Sequence, residues 1–372
     1  MIVFVFLIPY TASLYNGLSR LFGMAFHLDY TVCIVVMAVL TGIYVIAGGY
    51  MATAINDFIQ GCIMIIGIIA VIASVLKSNG GFMQAIDALA RVEDAQATST
   101  PGAFASFFGP DPFGLLCVVI LTSLGTWGLP QMVQKFYAIK DEKSIGKGTL
   151  ISTIFANHCS WWLLFPRWFR QTVCIDIAAQ GYDAIIPAMI EKLSPFLIAV
   201  VVILVLSASM STLSSLVLAS SSTLTLDMIR GTIVKEMTEK KQVFIMRIFI
   251  VVFIAISAVI AVVQYKSGVT FIAQLMGISW GALAGAFLAP FIYSLYWKGV
   301  TKAAVLVNFL FGSGIMVANM LARASFPTVL QSPINCGAFA MLAGLIIVPV
   351  VSLITPKLSD EKKQAVFSCY EK

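Results

Sequence analysis

The sequence has little charge. Of its 372 residues, 11% are Asp, Glu, Lys or Arg and 60% are hydrophobic, where a soluble domain carries about 25% charged residues. Too few charges remain to coat a water-facing surface, which excludes a soluble globular domain. There is no His-Glu-x-x-His, no Gly-x-Ser-x-Gly and no phosphate-binding glycine loop, and only two histidines occur. Their absence removes the common metallohydrolase, serine hydrolase and nucleotide hydrolase chemistries, so the chain is not expected to be an enzyme. Seven cysteines (33, 62, 117, 159, 174, 336 and 369) form no CxxC spacing. Most lie in apolar runs as small hydrophobes, neither a disulfide framework nor a metal set. The net charge of +6 is dispersed between hydrophobic runs, with no basic block to hold nucleic acid. No basic segment or small-residue cleavage site precedes Arg20, so no cleavable signal is expected.

What the chain has instead is length in its apolar runs. Crossing about 30 Å of hydrocarbon takes about 20 apolar residues in a helix. Windows 1–19, 31–49, 58–76, 113–136, 196–224, 243–264, 270–297, 303–322 and 336–355 meet that test, and 148–166 meets it more weakly. The fold class is therefore an all-α polytopic membrane protein set in a lipid bilayer. Threading these spans puts connectors 137–147, 226–247, 298–302 and the tail 356–372 on one side. That side holds fourteen of the Lys and Arg residues and the opposite side eight. The excess predicts a cytoplasmic C-terminus in a plasma or inner membrane, with the polar loop 78–112 external.

Three stretches depart from plain spans. In "LTSLGTWGLPQMVQKFYAIKDEK" (121–143), Gly125, Gly128 and Pro130 interrupt an apolar helix. A proline kink and an unwound break lining a wet cavity both fit, because irregular backbone at membrane depth needs cover or water. In "GISWGALAGAFLAPF" (277–291), Gly277, Gly281 and Gly285 make a small-residue face for close helix packing. In "VVILVLSASMSTLSSLVLASSSTLTLDMIRG" (201–231), Ala208, Ser211, Thr212 and Ser215 share one helical face. Most such hydroxyls bond back to the carbonyl one turn earlier. The Ala208 carbonyl with the Ser211 and Thr212 hydroxyls also forms an oxygen set suited to sodium. Asp57, in "GGYMATAINDFIQGCIMIIGIIAVIA" (48–73), is either a charge capping a helix start or an intramembrane carboxylate with a function.

"IAGGYMATAINDFIQ", "GTWGLPQMVQKFYAIKDEKSI", "SASMSTLSSLVLASSSTLTLDM" and "GALAGAFLAPFIYSLYWKGVTKAAVL" occur in the order found in sodium:solute symporters, and the chain resembles that family over nearly its whole length. The resemblance implies a leucine-transporter-type inverted-repeat helical bundle, with ion and solute at broken helices near the midplane. It implies sodium binding by Ala208, Ser211, Thr212 and Asp57, and a solute cavity lined by Gly125, Thr126, Trp127, Gly128, Pro130 and Gln131, with Trp280 at an outer gate. It divides the single transporter domain 1–372 into the remainder of a first repeat (1–76), a second repeat (113–297) and two extra helices (303–355).

The chain also departs from the family pattern. It starts inside the third core helix, so the first core helices are expected to be missing. The family's Trp-Thr before the aspartate is Ile55-Asn56. The stretch 155–174, "FANHCSWWLLFPRWFRQTVC", has charges and paired tryptophans where the family has small residues, as a frame slip in the DNA would produce. The functional expectation is a secondary transporter coupling sodium entry to import of a small organic solute, an amino acid or small carboxylate. Sodium is the coupling ion and no other cofactor is expected. The alternative is a transport-inactive membrane sensor or scaffold, or a decayed symporter fragment.

Overall fold

The computed structural model describes residues 1–78, 81–91, 102–137, 139–163, 194–234, 236–267 and 272–368. Every regular element among them is helical. Inside hydrocarbon a backbone must satisfy its own hydrogen bonds, and a helix does so within one segment. The sequence windows become α1 (Ile2–Phe26), α2 (Tyr30–Ser78), α4 (Pro112–Ser123), α5 (Pro130–Phe136), α7 (Pro195–Ser222), α8 (Glu239–Ser267), α9 (Ile272–Tyr296), α10 (Lys302–Leu321) and α11 (Pro333–Ile354). Short helices α3 (Phe82–Ala90) and α12 (Asp360–Phe367) lie outside the windows. The weaker window forms α6 (Glu142–Leu163). Eight segments among the described residues are long and apolar enough to cross a membrane, and a ninth is the bent pair α4–α5. The frame-slip stretch runs from the end of α6 into 164–174, which lies outside the described residues, as do the surroundings of His158.

The chain forms two compact units. One comprises Thr11–Pro112 and Ala138–Ile272. In it α7 packs against α2 and α8, and α6 packs against α2. Leu21 of α1 meets Val201 and Val202 of α7 in a small apolar core. The α1–α2 boundary is set locally: His27 takes a left-handed φ of 53°, and the Asp29 carboxylate accepts the N–H groups of Thr31 (2.8 Å) and Val32 (3.2 Å), capping α2.

Windows 31–49 and 58–76 were two spans on sequence grounds, and the structure joins them in one 49-residue helix. That helix is bent. The Asn56 amide donates to the Tyr44 hydroxyl at 2.9 Å. A straight helix would hold those two Cα atoms about 18 Å apart, beyond the joint reach of the side chains. Two further contacts agree with the bend. Thr41 touches Met210 of α7, and a Cβ at Gly67 would lie 2.7 Å from a Leu204 methyl. Residues 41 and 67 would be about 39 Å apart along a straight rod, yet they meet positions on α7 only six residues apart. The bend falls between Tyr44 and Asn56, a stretch that holds the Gly48–Gly49 pair and no proline, and the hydrogen-bonded helix runs through it.

The other unit comprises Met1–Tyr10, Phe113–Tyr137 and Ala273–Lys372. The small-residue face of α9 closes on its neighbours as its sequence predicts. A Cβ at Gly281 would stand 2.7 Å from the Gly337 Cα of α11 and 2.8 Å from Met316 Cε of α10. The buried Asn308 on α10 ties the same helices together by donating to the carbonyls of Gly285 (3.0 Å) and Ala286 (2.8 Å). Helices α10 and α11 pack along each other.

Candidate functional site

The hydroxyl face of α7 lies in the first of these units. Ala208, Ser211, Thr212 and Ser215 are half-buried, while Ser207, Ser209, Ser214, Ser220 and Ser221 are buried. Several hydroxyls here bond back to the helix: Ser214 and Ser215 donate to the Ser211 carbonyl (2.9 and 3.2 Å), and Ser221 donates to Val217 (2.7 Å). Thr212 donates to the Ala208 carbonyl at 3.0 Å. That bond turns the Thr212 proton inward and leaves the oxygen lone pairs outward. It also engages the Ala208 carbonyl, which already accepts an amide N–H of the α-helix. Among the described residues, the Ser211 hydroxyl makes no hydrogen bond. Beyond Ser222 the helix widens into a π-helical segment, Thr223–Ile233, a geometry that occurs often at functional positions. The buried hydroxyls of Ser220 and Thr225 beside that transition have no partner among the described residues. The sequence carried no signal for this widening.

Asp57 sits on α2 just past the bend, half-buried, next to the Asn56 that bonds Tyr44. The helix passes through Asp57 without starting there, so the carboxylate does not cap a helix terminus. Thr41, on the arm of α2 before the bend, touches Met210 of α7, next to Ser211. Sequence reading singled out Asp57 and treated Asn56 as a departure from the family pattern. The structure gives Asn56 the job of holding the bend, and Tyr44 had no sequence signal.

The broken helix lies in the second unit. Helix α4 ends at Ser123, Gly125–Gly128 form a single 3-10 turn, Leu129 is extended (φ −82°, ψ 116°), and Pro130 starts α5. The two helical parts meet at 48°, more than a simple proline kink because two helices flank an unwound joint. Gly125 and Gly128 are buried against α9. A Cβ on Gly128 would lie 2.7 Å from Leu288 Cα and N, and one on Gly125 would lie 3.3 Å from Ala284 Cβ. Trp280, one turn before Ala284, is 9% exposed, and its ring meets Tyr10 edge-on at 5.9 Å. The Thr126 hydroxyl donates to the Ser123 carbonyl at 2.9 Å. Trp127 points away from the glycines and is 59% exposed. Gln131 is the opposite case: it is 3% exposed, and neither its amide nitrogen nor its amide oxygen finds a partner among the described residues. Leaving a buried amide unsatisfied costs about 1–3 kcal/mol per group, so this position favours a polar guest. Ser279, wholly buried and also without a partner for its hydroxyl among the described residues, is a polar group on α9 that sequence reading passed over.

Comparison with known proteins covers the stretches that carry these elements. The profile of the sodium:solute symporter family covers residues 1–312. A sodium/proline symporter of Haemophilus influenzae is 25% identical over 100% of this chain and 72% of its own length. An osmoregulated proline transporter of Bacillus subtilis is 26% identical over 96% of the chain and 70% of its own length. A sodium/proline symporter of Staphylococcus aureus is 27% identical over 99% of the chain and 70% of its own length. Among solved structures, a Na+-coupled sialic acid symporter in a substrate-bound outward-open state superposes with a TM-score of 0.64. It is 15% identical and is matched over 96% of this chain and 75% of its own. At that identity the likeness establishes the helical fold and no more.

Proposed function

Because the chain belongs to the sodium:solute symporter family, we propose that it imports an amino acid, proline or a close relative of it, driven by sodium entry. The observation that carries the solute assignment is Gln131, a buried, unsatisfied amide at the joint of a broken helix. A carboxamide donates to a carboxylate and accepts from an ammonium, so one side chain serves both ends of a zwitterion. Proline transport by relatives matched over the length of the chain supports the same class.

Sodium, the co-transported ion, is held in this reading by the Ser211 and Thr212 hydroxyl oxygens and the Asp57 carboxylate. Ala208 contributes by accepting the Thr212 proton, so that the hydroxyl oxygen faces the cation. Oxygen donors of this kind suit a hard monovalent ion. The solute side is built on Gly125, Thr126, Gly128, Pro130 and Gln131, with Trp280 closing over it and Trp127 on the outer flank. Sodium drives uptake by favouring the conformation that recognises the solute, a differential affinity expressed as a population shift. At 100 mV one sodium per solute supplies about 2.3 kcal/mol, a concentration ratio of about 50. The same reading places the C-terminus in the cytoplasm of a plasma or inner membrane.

The test is uptake of radiolabelled proline by the full chain in proteoliposomes, under an inward sodium gradient and then an equal potassium gradient. Accumulation with sodium alone supports the proposal. Equal uptake in both refutes the coupling. Sodium-driven uptake of another amino acid in place of proline refutes only the solute.

A further inference from the structure

Lysine is concentrated at one end of the unit built on α9, α10 and α11. Helix α9 ends at Tyr296, α10 starts at Lys302 and α11 ends at Ile354. Thr301, capping α10, meets Ser352 and Thr355 at the end of α11 (3.3 and 2.6 Å), so these ends of three membrane-length helices lie together. Beyond them the chain returns as α12, and between α12 and the helix ends lies an open groove of about 400 Å³. Lys298, Lys302, Lys362 and Lys363 line it, and no acidic side chain does. Asp360, 92% exposed, pairs with Lys363 at 2.8 Å from outside the lining. Lys298 is held above the Phe367 ring, 5.4 Å from its centre, a cation–π contact that keeps the ammonium on the groove side. The rest of the wall is apolar, with Val305, Leu306, Val366 and Phe367 among its residues. Leu306 is 60% exposed there, and the half-buried Trp297 is part of the same lining, an aromatic of the kind membrane proteins place at headgroup level.

The two chemistries coexist in one groove. A free anion would need only the lysines, and a helix or peptide only the apolar wall. A phosphodiester joined to acyl chains uses both, and the level at which the spans end is where its headgroup lies. Basic pockets between membrane helices hold anionic headgroups in this way. The start of α10 adds the positive end of a helix dipole. We infer that this groove is a binding site for an anionic phospholipid, which fastens α12 to the ends of α9 and α10. The site is separate from the hydroxyl face of α7 and from the α4–α5 break, and it does not rest on the assignment of the transported solute.

The experiment uses the purified full chain in a neutral detergent and follows thermal stability by intrinsic fluorescence during titration with dioleoyl phosphatidylglycerol. Dioleoyl phosphatidylcholine and inorganic phosphate run as parallel titrants. The variant carries K298Q, K302Q, K362Q and K363Q together. The control carries K143Q, K147Q, K240Q and K241Q, an equal loss of charge at exposed positions elsewhere. Phosphatidylglycerol should stabilise the parent chain, and neither phosphatidylcholine nor phosphate should. Half-saturation should rise at least about tenfold in the groove variant and stay within about twofold in the control. Equal losses in both variants, an unchanged titration in the groove variant, or phosphate matching the lipid would each overturn the inference.

Discussion

Gly128 is the position where the broken helix rests directly on a neighbouring backbone, and Gly128→Ala tests that packing. The new Cβ would meet Leu288 Cα and N at 2.7 Å and Leu288 Cβ at 2.8 Å. Carbon atoms settle about 3.5–4.0 Å apart, so the joint and α9 must separate by close to 1 Å. Two of the three atoms met are backbone, and no rotamer change moves them. Overpacking of this kind costs about 1–3 kcal/mol, opposed by less than about 1 kcal/mol from replacing glycine by alanine in the chain. Gly314→Ala is the internal control, since its Cβ meets nothing within 4 Å and it lies in α10. There alanine gains up to about 1 kcal/mol of helix propensity. Thermal melting of the detergent-purified chain should show Gly128→Ala lower by several degrees and Gly314→Ala equal or higher. If Gly128→Ala melts with the parent, or both variants fall alike, the close contact at the break is not real.

Other substitutions probe separate joints. Asn308→Ala removes two bonds to the Gly285 and Ala286 carbonyls from a fully buried position; it should lower stability by about 1–3 kcal/mol, read by denaturant titration in detergent. Tyr44→Phe removes the acceptor of the Asn56 amide at the α2 bend. A loss of about 0.5–1.5 kcal/mol is expected, with faster amide hydrogen exchange at 44–57 and not in α10; unchanged exchange at the bend would count against its being pinned there.

The spans were readable because hydrocarbon thickness dictates about 20 apolar residues whatever the fold, and an interruption was readable because Gly125, Gly128 and Pro130 weaken a helix locally, while its form, a kink or an unwound joint, was not. The α9 packing face was readable for a similar reason: small residues repeat at helical spacing only where backbones approach. The bend of α2 was not readable as a bend. Two hydrophobic windows with polar residues between them look like two helices and a connector, and it takes the Tyr44–Asn56 bond with the Thr41–Met210 and Gly67–Leu204 contacts to show one bent helix meeting α7 on both arms. The isolation of Gln131 and Ser279 was hidden too, since a lack of partners depends on what surrounds a side chain. Trp127 was legible as part of the broken segment, but its 59% exposure beside the buried Gly125 and Gly128 was not. The oxygen set on α7 was legible as a stripe, but spacing did not reveal that the Thr212 proton is committed to Ala208 and the Ser211 proton is not.

The central claim is that hydroxyl oxygens on α7 hold the driving cation. It is tested most directly by the sodium concentration giving half-maximal proline uptake in Ser211→Ala proteoliposomes. Losing one oxygen ligand should raise that concentration about tenfold, or about 1.4 kcal/mol, while half-saturation by proline at saturating sodium stays near the parent value. An unchanged sodium requirement, with the variant folded and active, would contradict it.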